Sequence, residues 1–276
     1  MIALAENQMI PALKVLWKRS FGDTNDYIEM FFKYRFQPAQ SLVWLQEGQP
    51  VSMLFMLPIR LCSKDVFYEA FYIYAVATDP DYRSKGYSSL LLEAAHQMLK
   101  EKKADACLLR PADARLFRFY ADRGYQNEFF VNEQSYIFER PQKTVELKAG
   151  LLSEQIDLRN RYFFDCALYG AWDISALNYQ EREMALTGGQ TLCFTVRQPG
   201  YAACWPAGDS VTVKELVAFD NREAVIEAIA AHYHKNKITI RQKTKEKDTA
   251  FAMIHWFTDR PQRTGNMQPY LSLVLD

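Results

Sequence analysis

The segment Val76-Ala-Thr-Asp-Pro-Asp-Tyr-Arg-Ser-Lys-Gly-Tyr-Ser-Ser-Leu90 limits this chain more than any other stretch. A β-rich run from Phe71 to Ala77 ends at a Pro-containing turn, and Arg83-Ser-Lys-Gly-Tyr-Ser then enters an apolar-periodic helix. A strand that crosses a short Gly loop into a long amphipathic helix belongs to a mixed α/β architecture. The loop also has a chemical consequence. Its backbone N–H groups and the partial positive charge of the helix N-terminus together form a cradle for a pyrophosphate.

The rest of the first half fits that architecture. Helical spacing runs from Gln8 to Arg19, and Asn25 is the expected cap of a helix through Phe36. Ile2 to Leu4 is a short strand, Ser41 to Leu45 and Val51 to Leu61 are strands around a tight turn, and Phe67 to Ala77 is a third long strand. A helix from Gly86 to Lys102 leads to a short buried strand, Ala106 to Leu109. Asp113 then caps a helix through Arg123 that Gly124 stops, and Glu133 to Phe138 closes the unit.

Arg140-Pro-Gln-Lys-Thr144 is polar and marks the expected boundary between two domains, 1–141 and 145–276. The second half repeats the order of elements. Helices at Ser153 to Cys166 and Asp173 to Thr187 precede strands at Thr191 to Val196, Tyr201 to Trp205 and Val211 to Phe219. A helix from Asn221 to Lys235 and strands at Ile238 to Arg241, Phe251 to Trp256 and Tyr270 to Leu275 follow. The repeated order predicts a duplicated fold.

Composition narrows the partners. Hydrophobic residues make up 49% of the chain, which is ample for a core, and Lys+Arg and Asp+Glu balance at 33 each. That balance argues against a nucleic-acid or membrane-surface binder. Cys62, Cys107, Cys166, Cys193 and Cys204 are scattered without CxxC spacing and read as reduced thiols of a cytoplasmic protein. The N-terminus has no signal-peptide pattern, and no run approaches the ~20 apolar residues of a membrane span. His232 and His234 do not share a helix face as metal-binding pairs do, so no metal is expected.

The strand–loop–helix resembles the acetyl-CoA-binding motif of the GNAT-type N-acetyltransferase superfamily, Gln/Arg-x-x-Gly-x-Gly/Ala, with Arg83, Gly86 and Ser88 at its key positions. Ser88 departs from the small residue usual there. Leu116-Phe-Arg-Phe-Tyr-Ala-Asp-Arg-Gly-Tyr125 is similar to the superfamily's Phe-Tyr-x-x-x-Gly-Phe signature, and it follows the first motif at the right distance. The resemblance covers roughly residues 1–140 and implies an acyl-CoA N-acyltransferase fold, an α+β mixed sheet. It implies acetyl-CoA as cosubstrate and an amine as acceptor.

By the same resemblance, the pantetheine arm bonds to the strand at Val76, Ala77 and Thr78, and the pyrophosphate lies on Ser84, Lys85, Gly86, Tyr87, Ser88 and Ser89, with Arg83 adding charge. Tyr120 matches the Tyr that protonates the departing thiolate, a task suited to a phenol of pKa ~10; the alternative is a core aromatic. Glu69 is the nearest strand carboxylate for a base, unless it is an exposed strand-end charge. Tyr72 and Tyr74 share one face with Val76 by strict alternation, and either line the acceptor cleft or fill the core.

In the second half, Asn221-Arg-Glu-Ala-Val225 follows Val217-Ala-Phe-Asp220 with no Gly loop, which predicts a GNAT-like domain without a cradle. The layout is similar to tandem bacterial acetyltransferases, including relatives of the enhanced-intracellular-survival enzymes. In those the C-terminal carboxylate reaches the active site, which makes Asp276 a candidate; otherwise Tyr270 to Leu275 is an ordinary closing strand. A CoA-responsive module without catalysis and a transferase of another acyl group are the alternatives. The acceptor and any oligomerisation stay open.

Overall fold

The computed structural model describes residues 1–259 and 265–275. In the first half, β1 (Ile2–Leu4), α1 (Ile10–Phe21), α2 (Asn25–Tyr34), β2 (Ser41–Gln46), β3 (Gln49–Ser63), β4 (Val66–Thr78), α3 (Tyr87–Glu101), β5 (Ala106–Leu109), α4 (Ala114–Ala121) and β6 (Gln126–Ile137) follow one another. The second half continues with β7 (Lys148–Gly150), α5 (Ile156–Phe163), β8 (Tyr169–Ala171), α6 (Ile174–Leu186), β9 (Gln190–Thr195), β10 (Pro199–Ala207), β11 (Ser210–Val217), α7 (Arg222–Tyr233), β12 (Lys237–Gln242) and β13 (Thr249–Trp256). Thr24, not Asn25, caps α2, because its hydroxyl accepts the Tyr27 N–H. No helix among the described residues is long and apolar enough to cross a membrane.

The strands join in the order β1-β2-β3-β4-β5-β13-β6-β12-β11-β10-β9-β7, with β8 added on β3. The exchange at the centre departs from a cut at 141–145. Strand β13, from the end of the chain, enters between β5 and β6, pairing Met253 with Leu109 and Thr249 with Val131. Strand β6 starts earlier than the sequence suggests and serves both halves: its first part pairs with β13, and its second part, Asn132 to Ile137, pairs with β12. The polar link at 140–144 therefore divides the chain, but the sheet runs across it.

The two halves share a local device. In each, a bulged strand lies antiparallel to its predecessor and parallel to the strand after the next helix. The bulge falls at Ala75/Val76 in β4 and at Lys214 in β11. The parallel pairing stops at Tyr72↔Leu108 in one half and at Val213↔Ile240 in the other.

One large core spans both halves, with Trp17, Phe31, Phe55, Tyr72, Phe129, Tyr179, Tyr201 and Tyr270 all buried in it. Helices α3 and α4 cover the outer face of the first half over Leu91, Leu99, Cys107 and Tyr125, and α7 covers that of the second over Val225, Ile229 and Ile240. The segment after β13 is not the expected closing strand. Residues 270–275 are buried yet make only an isolated bridge, Tyr169↔Tyr270. Side chains bind this segment instead: Trp172 Nε1 donates to Ser272 O (2.9 Å), Gln180 Nε2 to Leu273 O (2.8 Å) and Tyr72 Oη to Leu275 O (3.4 Å).

Behind α4, two histidines meet. His96 and His255 stack with centroids 4.5 Å apart, and His96 Nε2 bonds to Tyr125 Oη at 2.9 Å. Gly124 sits at φ 83°, and a Cβ there would come within 2.7 Å of His255 Nδ1, so only glycine lets β13 approach α4 this closely. Burial, with help from His255 and Lys100, pushes the His96 pKa down to about 4. The folded state thus prefers neutral His96, and the unfolded chain binds the extra proton first. Stability should fall as pH drops from about 6.5 towards 4, with the cost complete below that. We expect the melting temperature to drop a few degrees across that window and His96→Gln to flatten the drop, as thermal scans at fixed ionic strength would show.

Candidate active site

Past Tyr72 the edge of β4 that faces β5 is unpaired, because β5 ends at Leu109 and the chain turns into α4. Ala75, at φ 48°, and Val76 form the bulge that bends β4 at this point. The bulge overturns the strict alternation expected of the strand. Tyr72 and Tyr74 stay on the inner face, whereas Val76 joins Ile73 and Leu91 on the outer one, since one inserted residue reverses the parity of those that follow. The Asp79 N–H bonds to Val51 O on β3, so by alternation the backbone groups of Val76 and Thr78 face the open edge. Ala77 turns the other way, its carbonyl accepting from Ser52 Oγ at 2.7 Å.

The loop to α3 is clamped at both ends. Arg19 on α1 holds Asp79 and Asp81, each at 2.8 Å, and Asp79 also accepts the Asp81 N–H. Arg83 Nε reaches back to Thr78 O at 3.2 Å, so this side chain closes the loop as well as carrying charge. Ser84 (φ 62°) and Gly86 (φ 80°) both take left-handed backbone, which turns successive amides inward. The helical ladder begins at the Leu90 N–H to Gly86 O bond, so the amides of Tyr87, Ser88 and Ser89 point out of the helix N-terminus. Tyr87 stacks on Trp44 at 4.5 Å and fixes the first turn, and Lys85 lies over the Tyr82 ring.

Arg123 was not legible as a member of this site. It stacks on Phe119 at 3.6 Å, and its Nε donates to Ser89 Oγ at 3.2 Å, which brings a guanidinium beside the cradle. Only the fold brings α4 back to the start of α3.

A cleft of about 390 Å³ opens between β4, β5, α4 and the end of α1, with Trp17, Asp23, Tyr74, Val76, Tyr120 and Leu275 in its wall. Tyr120 is buried and makes no side-chain hydrogen bond among the described residues; burial pushes its pKa up to about 12, against a smaller opposing pull from Arg123. It therefore stays protonated and available as a donor. Asp23 supplies the carboxylate among the described lining residues, oriented by Trp17 Nε1 at 2.7 Å from its Oδ2. Nothing in its sequence position distinguished it.

Glu69 is elsewhere. It lies at the other end of β4, roughly 20 Å from Val76 at ~3.3 Å per residue, exposed and paired with Arg60 across the strand (2.9 Å). Asp276 lies outside the described residues, although its neighbour Leu275 lines the cleft. In the second half, a buried ion-pair network lies beside the bulge of β11. Arg159 Nε bonds both Glu215 carboxylate oxygens (3.1 and 3.2 Å), its Nη1 donates to Gly170 O (2.7 Å), and Tyr201 and Ser272 also bond the carboxylate. Asn221 enters α7 directly there, with no Gly loop.

A parallel strand pair that parts beside a bulge, followed by a helix whose N-terminus frames the gap, is the acyl-CoA N-acyltransferase fold. Residues 2–127 match the sequence model of the Acetyltransferase (GNAT) domain. Solved structures agree in fold. The chain superposes on a probable N-acyltransferase from Enterococcus faecalis with TM-score 0.73 and 15% identity over 93% of this chain and 72% of that one. A GCN5-related N-acetyltransferase from Anabaena variabilis gives 0.73 and 16% over 92% and 72%. Eis1 from Mycobacterium abscessus gives 0.59 and 12% over 87% and 65%. No curated protein matches the chain in sequence.

Proposed function

We propose that the chain is an acetyl-CoA-dependent N-acetyltransferase that acetylates a primary amine of a small molecule or protein in the cytoplasm, and that its second half is a degenerate copy of the first. The observation that carries the reading is the unpaired edge of β4 at Val76 and Thr78, running into the clamped amide loop at Ser84 to Ser89. An extended pantetheine arm bonds such an edge as an added strand does, and the pyrophosphate meets the α3 amides, with Arg83, Lys85 and Arg123 supplying charge.

The amine nitrogen attacks the thioester carbonyl carbon, the C–S bond breaks, the thiolate takes the Tyr120 phenolic proton, and the proton shed by the newly acylated nitrogen restores the Tyr120 hydroxyl. Asp23 steadies the incoming ammonium at the cleft mouth, and Asp276 is proposed as a second carboxylate for the acceptor amine.

The test is Tyr120→Phe. Turnover should fall about 100-fold with acetyl-CoA affinity within about twofold, because the hydroxyl acts only on the leaving thiolate. Thiol release from acetyl-CoA against spermidine, kanamycin, lysine and a lysine peptide reads the first, and calorimetry the second. Acetyl-CoA binding with no thiol release by the wild type for any amine would replace this reading with a binding module.

A further inference from the structure

A second cavity, of about 570 Å³, lies between the halves, walled by Thr24 and Tyr27 from the first half and by Glu183, Trp205 and Lys214 from the second. Two residues, Asp23 and Tyr74, also line the acyl-transfer cleft. The Tyr74 hydroxyl lies 2.6 Å from that of Tyr27, close for a neutral O–H···O bond, and either can donate. Tyr27 lines the second cavity only. The two phenols thus form a hydrogen-bonded bridge from the wall of one cavity to the other.

Resting on the acetyl-transfer reading, we infer that Tyr74 and Tyr27 form a proton relay that carries the proton of the acceptor amine out of the transfer cleft into the inter-half cavity. The amine N–H proton passes to Tyr74 Oη as the Tyr74 hydroxyl proton passes to Tyr27 Oη. The Tyr27 proton leaves to water in the second cavity, and both phenols end neutral. The lone pair left on nitrogen attacks the thioester.

The surroundings suit that task. The rings are held by Trp17 and Phe31, which contact Tyr74 at 5.7 and 5.5 Å, so the hydroxyls meet in a fixed geometry. Charged and titratable groups facing the pair or its outer cavity are Tyr179 and Glu183 on α6, Tyr72 on β4, Lys214 on β11, which pairs with Glu183 at 3.3 Å, Arg241 on β12 and Asp23 after α1. Burial, the neighbouring phenols and Glu183 together hold both phenols well above the usual tyrosine range. A phenol that resists ionising passes protons by exchange rather than by storing charge. Tyr74 meets the amine, and Tyr27 is a positioning and relay residue behind it.

The test compares wild type, Tyr27→Phe, Tyr74→Phe and the double variant in single-turnover acetyl transfer to whichever panel amine turns over fastest. Tyr27→Phe should slow transfer about tenfold with KM within about twofold, reduce the solvent deuterium isotope effect, and move the acidic limb of the pH–rate profile about one pH unit up, towards the free-amine pKa. The double variant should be no slower than Tyr74→Phe, because relay members act as a unit. Melting temperatures show whether the rings still pack. Wild-type rate, profile and isotope effect in a folded Tyr27→Phe would overturn the relay, as would losses that multiply in the double variant. A wild type that transfers acetyl to no amine overturns the acetyl-transfer reading itself, a distinct result.

Discussion

Gly86→Asp is expected to abolish the stabilisation of the protein by acetyl-CoA. At a concentration of 100 times Kd, a ligand that binds only the folded state contributes about 2.7 kcal/mol, equivalent to a rise of roughly 5 °C or more in melting temperature for a chain of this size. Gly86 caps α3 at φ 80°, and a Cβ there meets nothing within 4 Å, so the substitution leaves the core untouched. Its backbone cost is modest, about 1 kcal/mol, since Asp tolerates left-handed backbone better than most residues. Its carboxylate, however, sits among the amides that a pyrophosphate requires. Thermal scans with and without millimolar acetyl-CoA should show a small loss in the apo protein and no ligand shift, whereas Gly86→Ala retains part of the shift. An undiminished shift in Gly86→Asp would place the cosubstrate elsewhere.

The second large effect is on stability. Arg159→Leu should cost about 3–5 kcal/mol by denaturant titration, because it leaves the Glu215 carboxylate buried without its cation. Arg159 and Glu215 are 3% and 0% exposed, and the same guanidinium holds Gly170 O and Ser272 Oγ, joining α5, β8, β11 and the terminal segment. Glu215→Leu in the Arg159→Leu background should recover most of the loss, since an apolar pair needs no partner there. If Arg159→Leu alone matches the wild type, the network does not hold that segment.

The conformation of the candidate site was legible because it is local. The strand end, the Gly loop and the helix start from Val76 to Ser89, and the helix that stops at Gly124, follow from turn, cap and helix preferences that act over a few residues. Parity along β4 was not legible, because a bulge at Ala75 depends on pairing with β3 across the sheet. Glu69 was misleading for a related reason: proximity in sequence along a strand is distance in space.

The sequence alone determined most of the elements, their order and the Gly loop before α3, all of which follow from periodicity and turn chemistry within single segments. The tertiary structure decided the exchange of β13 and β6 between the halves, the burial of residues 270–275 without strand pairing, and the meeting of Asp23, Tyr27, Tyr74 and Glu183 around adjoining cavities. Those contacts join residues far apart in the chain. They are set by which apolar faces the folded sheet can bury together, a property of the whole molecule that no local pattern encodes.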